Sequence, residues 1–250
     1  MKTALVTGGA QGIGRGIVRH LRKDGWRVAL FDLDEQAVAE MRATDPDLLA
    51  LRVDVADEAA VRDGFARVRD WLDGAGLGLL VSNAGIADPH AGPVEDLSLA
   101  DWQRMLDSHV TGAFLMVRAA VPLLRAEKGS IVLMSSTRAL QSEADTEGYA
   151  ASKGALLALS HALAVSLGPD VRVNCILPGW IETAAYQKRE NRRIPHHTDA
   201  EKAQHPAGRV GDPQDIAGLV AFLASDQAGF ITGQRFIVDG GMSARMIYPA

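Results

Sequence analysis

A single cysteine, Cys175, leaves no internal disulfide to form in a chain of 250 residues, and its place in the apolar run 173–177 makes it a buried thiol. Basic clusters are missing too. The 26 lysines and arginines stand against 31 acidic residues, for a net charge of -5 and a pI near 5.8. A nucleic-acid surface needs Lys and Arg gathered on one face, and neither end carries a charged tail. No eighteen apolar residues follow one another, and residues 1–7 lack the apolar stretch and cleavage site of a signal peptide. A soluble cytoplasmic protein with no nucleic-acid or membrane partner is therefore expected. His196, His197 and His205 have neither the helical spacing nor the Cys or carboxylate neighbours of a metal site, so no metal is assigned. Repeats and low-complexity segments are also lacking, and the ten prolines are thinly spread. With 47% hydrophobic residues, residues 1–250 can bury one large core as a single domain.

What is present alternates strand and helix. Residues 2–7 read as a strand, followed by Thr7-Gly8-Gly9-Ala10-Gln11-Gly12-Ile13-Gly14 and a helix with Ile17, Val18 and Leu21 on one side. Strand, glycine turn, helix is the order of a phosphate-binding unit: glycine lets the backbone approach a pyrophosphate, and the helix amino end supplies unpaired N–H donors. The strand 26–31 ends in Asp32-Leu33-Asp34, where a carboxylate suits ribose hydroxyls and repels a 2′-phosphate. The competing role is to cap the next helix, which Asp34 is expected to do. Strands 48–53 and 77–81 end in Asp54-Val55 and Ser82-Asn83-Ala84-Gly85, candidates to line a dinucleotide at the carboxyl edge of a parallel sheet. Helical periodicity over 100–126 leads to strand 130–134 and then Ser135-Ser136. A small-residue helix over 149–167, expected to be buried on more than one face, leads to strand 171–177. The polar segment 182–209 reads as a lid over a substrate. Its Lys188, Arg189, Arg192 and Arg193 either draw in an anion or line a solvated face. Asp212-Pro213 opens a further helix, and 236–238 forms the last strand.

Tyr149 and Lys153 are four residues apart on one helical face. An ammonium ~4 Å from a phenol at an effective dielectric of ~20 favours the phenolate by about 4 kcal/mol, enough to bring proton exchange toward neutrality. Ser136 precedes the tyrosine by thirteen positions.

Together these motifs resemble the short-chain dehydrogenase/reductase family over nearly the whole chain. The resemblance rests on the Thr7 to Gly14 loop, Asp54-Val55, Asn83-Ala84-Gly85, Ser136, Tyr149, Lys153 and Pro178-Gly179, in family order. It implies a Rossmann-like, doubly wound α/β fold with a seven-stranded parallel sheet and helices on both faces, usually assembled as a homotetramer or homodimer on two long helices. It also implies roles. Tyr149 is the general acid/base, Lys153 lowers its pKa and holds the nicotinamide ribose, and Ser136 bonds the reacting oxygen. Ile181 and Thr183 hold the carboxamide, and Asn83 to Gly85 support the cofactor, while Gly8, Gln11, Gly12, Ile13, Gly14, Asp32, Asp54, Val55, Pro178 and Gly179 complete its binding set. The chain departs from the family at His109, within His109-Val110-Thr111-Gly112-Ala113-Phe114, where relatives usually carry an asparagine that holds a proton-relay water. Either the imidazole takes over that water or it only packs.

The expected activity is NAD-dependent hydride transfer between nicotinamide and a secondary alcohol or ketone. The polar, acidic segment 137–148 favours a small hydroxylated substrate such as a sugar or polyol. A 3-oxoacyl or general carbonyl reductase is the enzyme alternative, and an NAD-binding sensor or scaffold is the alternative of another class.

Overall fold

The computed structural model describes residues 2–246. Seven parallel strands form one sheet in the order β3-β2-β1-β4-β5-β6-β7: β1 Thr3–Thr7, β2 Arg27–Asp32, β3 Leu49–Arg52, β4 Leu79–Ser82, β5 Ser130–Met134, β6 Arg172–Pro178 and β7 Arg235–Val238. The expected seven-stranded sheet is thus observed. Parallel strands need crossovers, and helices supply them. In chain order these are α1 Gly12–Lys23, α2 Glu35–Thr44, α3 Glu58–Leu72, α4 Leu99–Leu106, α5 Gly112–Glu127, α6 Glu147–Leu167, the short α7 Asp199–Ala203 and α8 Pro213–Leu223.

Side chains alternate across each strand, so both sheet faces are apolar and each needs a helical layer. On one face Ala4, Val6, Val28, Leu30 and Val132 pack with Ile17, Val18, Val38, Met41 and Val220 of α1, α2 and α8. On the other, Leu5, Ala29, Phe31, Ile131 and Cys175 pack with Phe65, Met116, Leu124 and Leu167 of α3, α5 and α6. Strand order reverses between β1 and β4, which opens a crevice beyond their carboxyl ends. Cys175 is free and buried, and burial pushes its thiol up to about 11.

Two expectations need correction. The helix over 100–126 is not uniform: a π-helical turn, Asp107–Thr111, separates α4 from α5, and Gly112 N–H donates to Asp107 O. The turn inserts one residue and carries His109 inward. α6 also falls short of burial on more than one face. Ser152, Lys153, Leu156 and Ser160 are buried, whereas Ala151, Ala158, Ala162 and Val165 are exposed. α6 is long and apolar enough to cross a bilayer, yet its buried side chains include the Lys153 ammonium.

Candidate active site

Glycine loop, β2 end and β4 end converge at the crevice. A Cβ on Gly14 would lie 1.9 Å from Gly8 O, so the loop closes on itself only without that side chain. Gly12, at φ +58, faces Thr183, whose Cγ2 is 3.8 Å from where a Cβ would sit. This spans a cradle between the loop and the end of β6. Thr7 Oγ1 accepts from Asn83 N–H and Ala84 N–H at 2.9 Å each, and Asn83 Nδ2 donates to Thr7 O at 3.0 Å, which ties β4 to the loop.

The amino end of α1 is left open. Gln11 makes no side-chain cap and the first turn holds no acid, whereas Asp34, Asp57, Ser98 and Asp212 cap α2, α3, α4 and α8. Unpaired amides and the positive helix end suit a pyrophosphate there. Asp32 stands beside it, half-buried. Its carboxylate accepts from Ala10 N–H at 3.0 Å and Asp34 N–H at 3.1 Å, and desolvation outweighs these bonds to raise its pKa. Asp34 accepts from Ala37 N–H as the expected cap. Ile13 packs on the core, Val55 is buried against Gly112, and the exposed Asp54 turns its carboxylate back onto Ala56 N–H. Gly179 N–H bonds Val238 O after Pro178, and Ile181 bridges Gly211. The residues present therefore fit a dinucleotide: a glycine cradle, an uncapped helix and a carboxylate at the second strand.

At the other end of the crevice stand Ser136, Tyr149 and Lys153. Ser136 follows β5, and Tyr149 and Lys153 lie on α6. The phenol is not poised as the bare charge arithmetic predicts: burial raises the Tyr149 pKa, with a Ser136 hydrogen bond and the Arg138 charge opposing it. Lys153 lies 5.3 Å from the Tyr149 ring centroid and donates to Met134 O at 3.2 Å, and burial pushes it down to about 8. The lysine thus meets the ring face, and desolvation wins over mutual stabilisation.

His109 is 1% exposed and packs edge-on against Tyr149, with ring centroids 5.4 Å apart. Nε2 lies 3.2 Å from Ile86 O and Nδ1 lies 2.8 Å from Ser152 Oγ. A carbonyl only accepts, so Nε2 carries the proton and Nδ1 is left as an acceptor, with the single Ser152 hydroxyl proton in reach of both Nδ1 and Tyr149 O, which lies 2.7 Å from Oγ. Burial, then the Lys153 charge, push the imidazole down to about 3, which agrees with this neutral tautomer. Both ring nitrogens face protein groups, which favours the packing role of the two expected for His109. Gly85 accommodates the ring, since a Cβ there would lie 2.1 Å from His109 Cδ2.

Of the basic residues in 182–209, Lys188 and Arg192 are taken up in ion pairs, whereas the Arg189 and Arg193 side chains are exposed. Glu40 Oε1 accepts from Arg15 Nη2 and Arg192 Nη2 at 2.6 Å each, and Glu40 Oε2 accepts from Arg189 N–H at 2.6 Å. Lys188 pairs with Asp34 at 2.9 Å, while its N–H donates to Gln11 Oε1 at 3.1 Å. Residues 187–192 are thereby strapped to α2 and the glycine loop. Sequence reasoning missed Glu40, Arg15 and Ser152, and it passed over Arg138 inside a segment it had marked as polar. Among the described residues no group of three His, Cys, Asp or Glu could hold a metal.

The family model described as enoyl-(acyl carrier protein) reductase matches residues 8–243. An uncharacterized oxidoreductase of Thermotoga maritima is 42% identical across 99% of this chain and 98% of its own. A 3-alpha-(or 20-beta)-hydroxysteroid dehydrogenase of Mycobacterium bovis is 36% identical over 99% and 91%. The crystal structure of a short-chain glucose/ribitol dehydrogenase from Brucella melitensis superposes with a TM-score of 0.85 at 31% identity, covering 100% of this chain and 97% of that one. With the Ser136, Tyr149 and Lys153 cluster beside a dinucleotide cradle, these likenesses make the chain an oxidoreductase of the short-chain dehydrogenase/reductase family.

Proposed function

We propose that the protein is an NAD-dependent dehydrogenase that interconverts a secondary alcohol and a ketone on a small, polar, hydroxylated substrate. The observation that carries this reading is the pairing of the open α1 end and Asp32 with Ser136 and Tyr149 at the two ends of one crevice. Bound nicotinamide supplies the hydride acceptor. The chain supplies the rest. Tyr149 takes the hydroxyl proton as the C=O bond forms, and Ser136 orients the reacting oxygen. Lys153, whose ammonium already lies against the Tyr149 ring, holds the ribose and draws the phenol toward phenolate when it turns from Met134 O. Gly8, Gln11, Gly12, Ile13 and Gly14 hold the pyrophosphate side. Asn83, Ala84, Gly85, Asp54 and Val55 line the adenosine side, and Pro178, Gly179, Ile181 and Thr183 the carboxamide side. His109 acts as a brace between the π turn, α6 and the loop after β4.

Asp32 selects NAD, since a 2′-phosphate would bring like charge to a half-buried carboxylate. Residues 182–209 act as the lid. The cytoplasm is the expected compartment, and a homotetramer or homodimer built on α5 and α6 the expected assembly. A panel of polyols, sugars, hydroxy acids, steroid alcohols and 3-hydroxyacyl thioesters, offered with NAD and with NADP, tests the reading. NADH formation with polyols at higher kcat/KM than NADPH formation supports it. Equal or better use of NADP would refute the role given to Asp32. NAD binding without turnover of any alcohol would make the chain a sensor.

A further inference from the structure

Arg138 follows Ser136 by two positions, in the 3-10 turn Thr137–Ala139, and its N–H donates to Ser136 Oγ at 3.2 Å. Its place is therefore fixed relative to one of the site hydroxyls. The side chain is largely buried at 22% exposure, yet its ion-pair partner, Glu143, is 59% exposed on the polar segment before α6. Glu143 also stands 3.8 Å from His90 on the loop after β4, so the pair lies where two rim loops meet. Of the other cations near the crevice most are committed elsewhere, Arg193, which lines a cavity with Thr183 and Gln187, being an exception. Lys153 bonds Met134 O, Lys188 pairs with Asp34 and Glu190, and Arg15 and Arg192 pair with Glu40.

We propose that Arg138 is a recognition group for a carboxylate on the substrate, which makes the preferred substrate a hydroxy acid rather than a neutral polyol. Glu143 then marks the position that the substrate carboxylate takes. This rests on the dehydrogenase reading and narrows its substrate class.

The asymmetry of the pair supports the exchange. An exposed loop carboxylate is held weakly and returns to water at little cost, whereas the guanidinium is largely packed into protein on a backbone whose N–H is held to Ser136 Oγ. Its planar fork receives a carboxylate through two parallel N–H bonds, and partial burial strengthens them. The short distance along the chain from Ser136 to Arg138 suits a carboxylate one or two carbons from the hydroxylated carbon. The Arg138 charge also reaches the Tyr149 phenol, as it must if both groups face one small substrate.

The test is steady-state NAD reduction with matched pairs: lactate, 3-hydroxybutyrate and gluconate, each against its own amide. The wild type is expected to favour at least one acid over its amide by about tenfold or more in kcat/KM, the scale of a hydrogen bond to a charged group. Arg138→Gln should lower that acid about 10–100-fold more than its amide, and Arg138→Lys should recover part of the loss. Glu143→Gln, on an exposed side chain that folding does not depend on, should raise the acid and leave the amide within about twofold. Amides used as well as acids would overturn the proposal. So would an equal loss of both members with a shifted pH profile, which would leave Arg138 only a tuning role on the phenol. Efficient oxidation of neutral polyols and no acid would sink the hydroxy-acid class and keep the dehydrogenase; oxidation of nothing, with NAD bound, would sink both.

Discussion

His109 stands where relatives usually carry an asparagine, and its ring fills the space between α6 and the loop after β4. Its ring bonds Ser152 and Ile86 and occupies the volume that a Cβ on Gly85 would enter. Gly85→Ala should therefore destabilise the fold by about 1–3 kcal/mol through overpacking, and adding His109→Ala should recover part of it. Urea denaturation of the four species of this cycle measures the coupling; strictly additive losses would mean that the two positions do not compete. Titration gives a second check. The folded pKa of about 3 lies below the ordinary 6.5, so the neutral ring contributes stability above pH 6.5 that is lost as pH falls toward 3. Between those values the wild type should lose up to about 1.4 kcal/mol per pH unit more than His109→Asn. The same shift leaves His109 neutral throughout neutral and mildly acidic solution, so its kcat profile should show no ionisation that His109→Asn removes.

Elements were legible where local pattern decides them. The strands read correctly because each apolar run stops at small or polar residues at the carboxyl edge, and Asp34 capped its helix as a short acidic side chain before an apolar stretch should. The π turn was not legible. Residues 100–126 keep helical periodicity, and what marks the insertion is His109 reaching Ser152 and Ile86, on other elements. Nor was the lid strap, since Glu40 and Arg192 are 152 positions apart and neither belongs to a motif. In the candidate site, Ser136, Tyr149 and Lys153 stood out by spacing, while Arg138 had only its neighbour to mark it. The strap makes its own prediction. Hydrogen bonds from Arg15, Arg189 N–H and Arg192 overcome the effect of burial and hold Glu40 at about 2, so the contact persists to strongly acidic pH. Glu40→Gln should free residues 187–192 and speed tryptic cleavage at Lys188, Arg189 and Arg192 about tenfold, the response to losing a little over 1 kcal/mol of local closing energy. Unchanged cleavage would show that the lid is held by other contacts.

Across the whole molecule, one exposed face of α6 repeats small and apolar side chains at Ala151, Ala158, Ala162 and Val165, with Val165 85% exposed. On the neighbouring element α5, Phe114 is also exposed. Small residues permit close helix contact, so association through α5 and α6 is expected, and Val165→Glu should shift sedimentation toward monomer. A wild type that sediments as monomer would contradict that assembly. The same α6 that offers this outer face carries Tyr149 and Lys153 on its inner one. Proton transfer by the phenol is the claim on which the dehydrogenase reading depends. The most direct measurement is kcat of Tyr149→Phe on the best substrate from the panel, with NAD affinity measured alongside. Expected is a fall of about 10²–10⁴-fold at nearly unchanged NAD affinity, the usual worth of general acid/base catalysis. A variant that keeps more than about a tenth of wild-type kcat would contradict it.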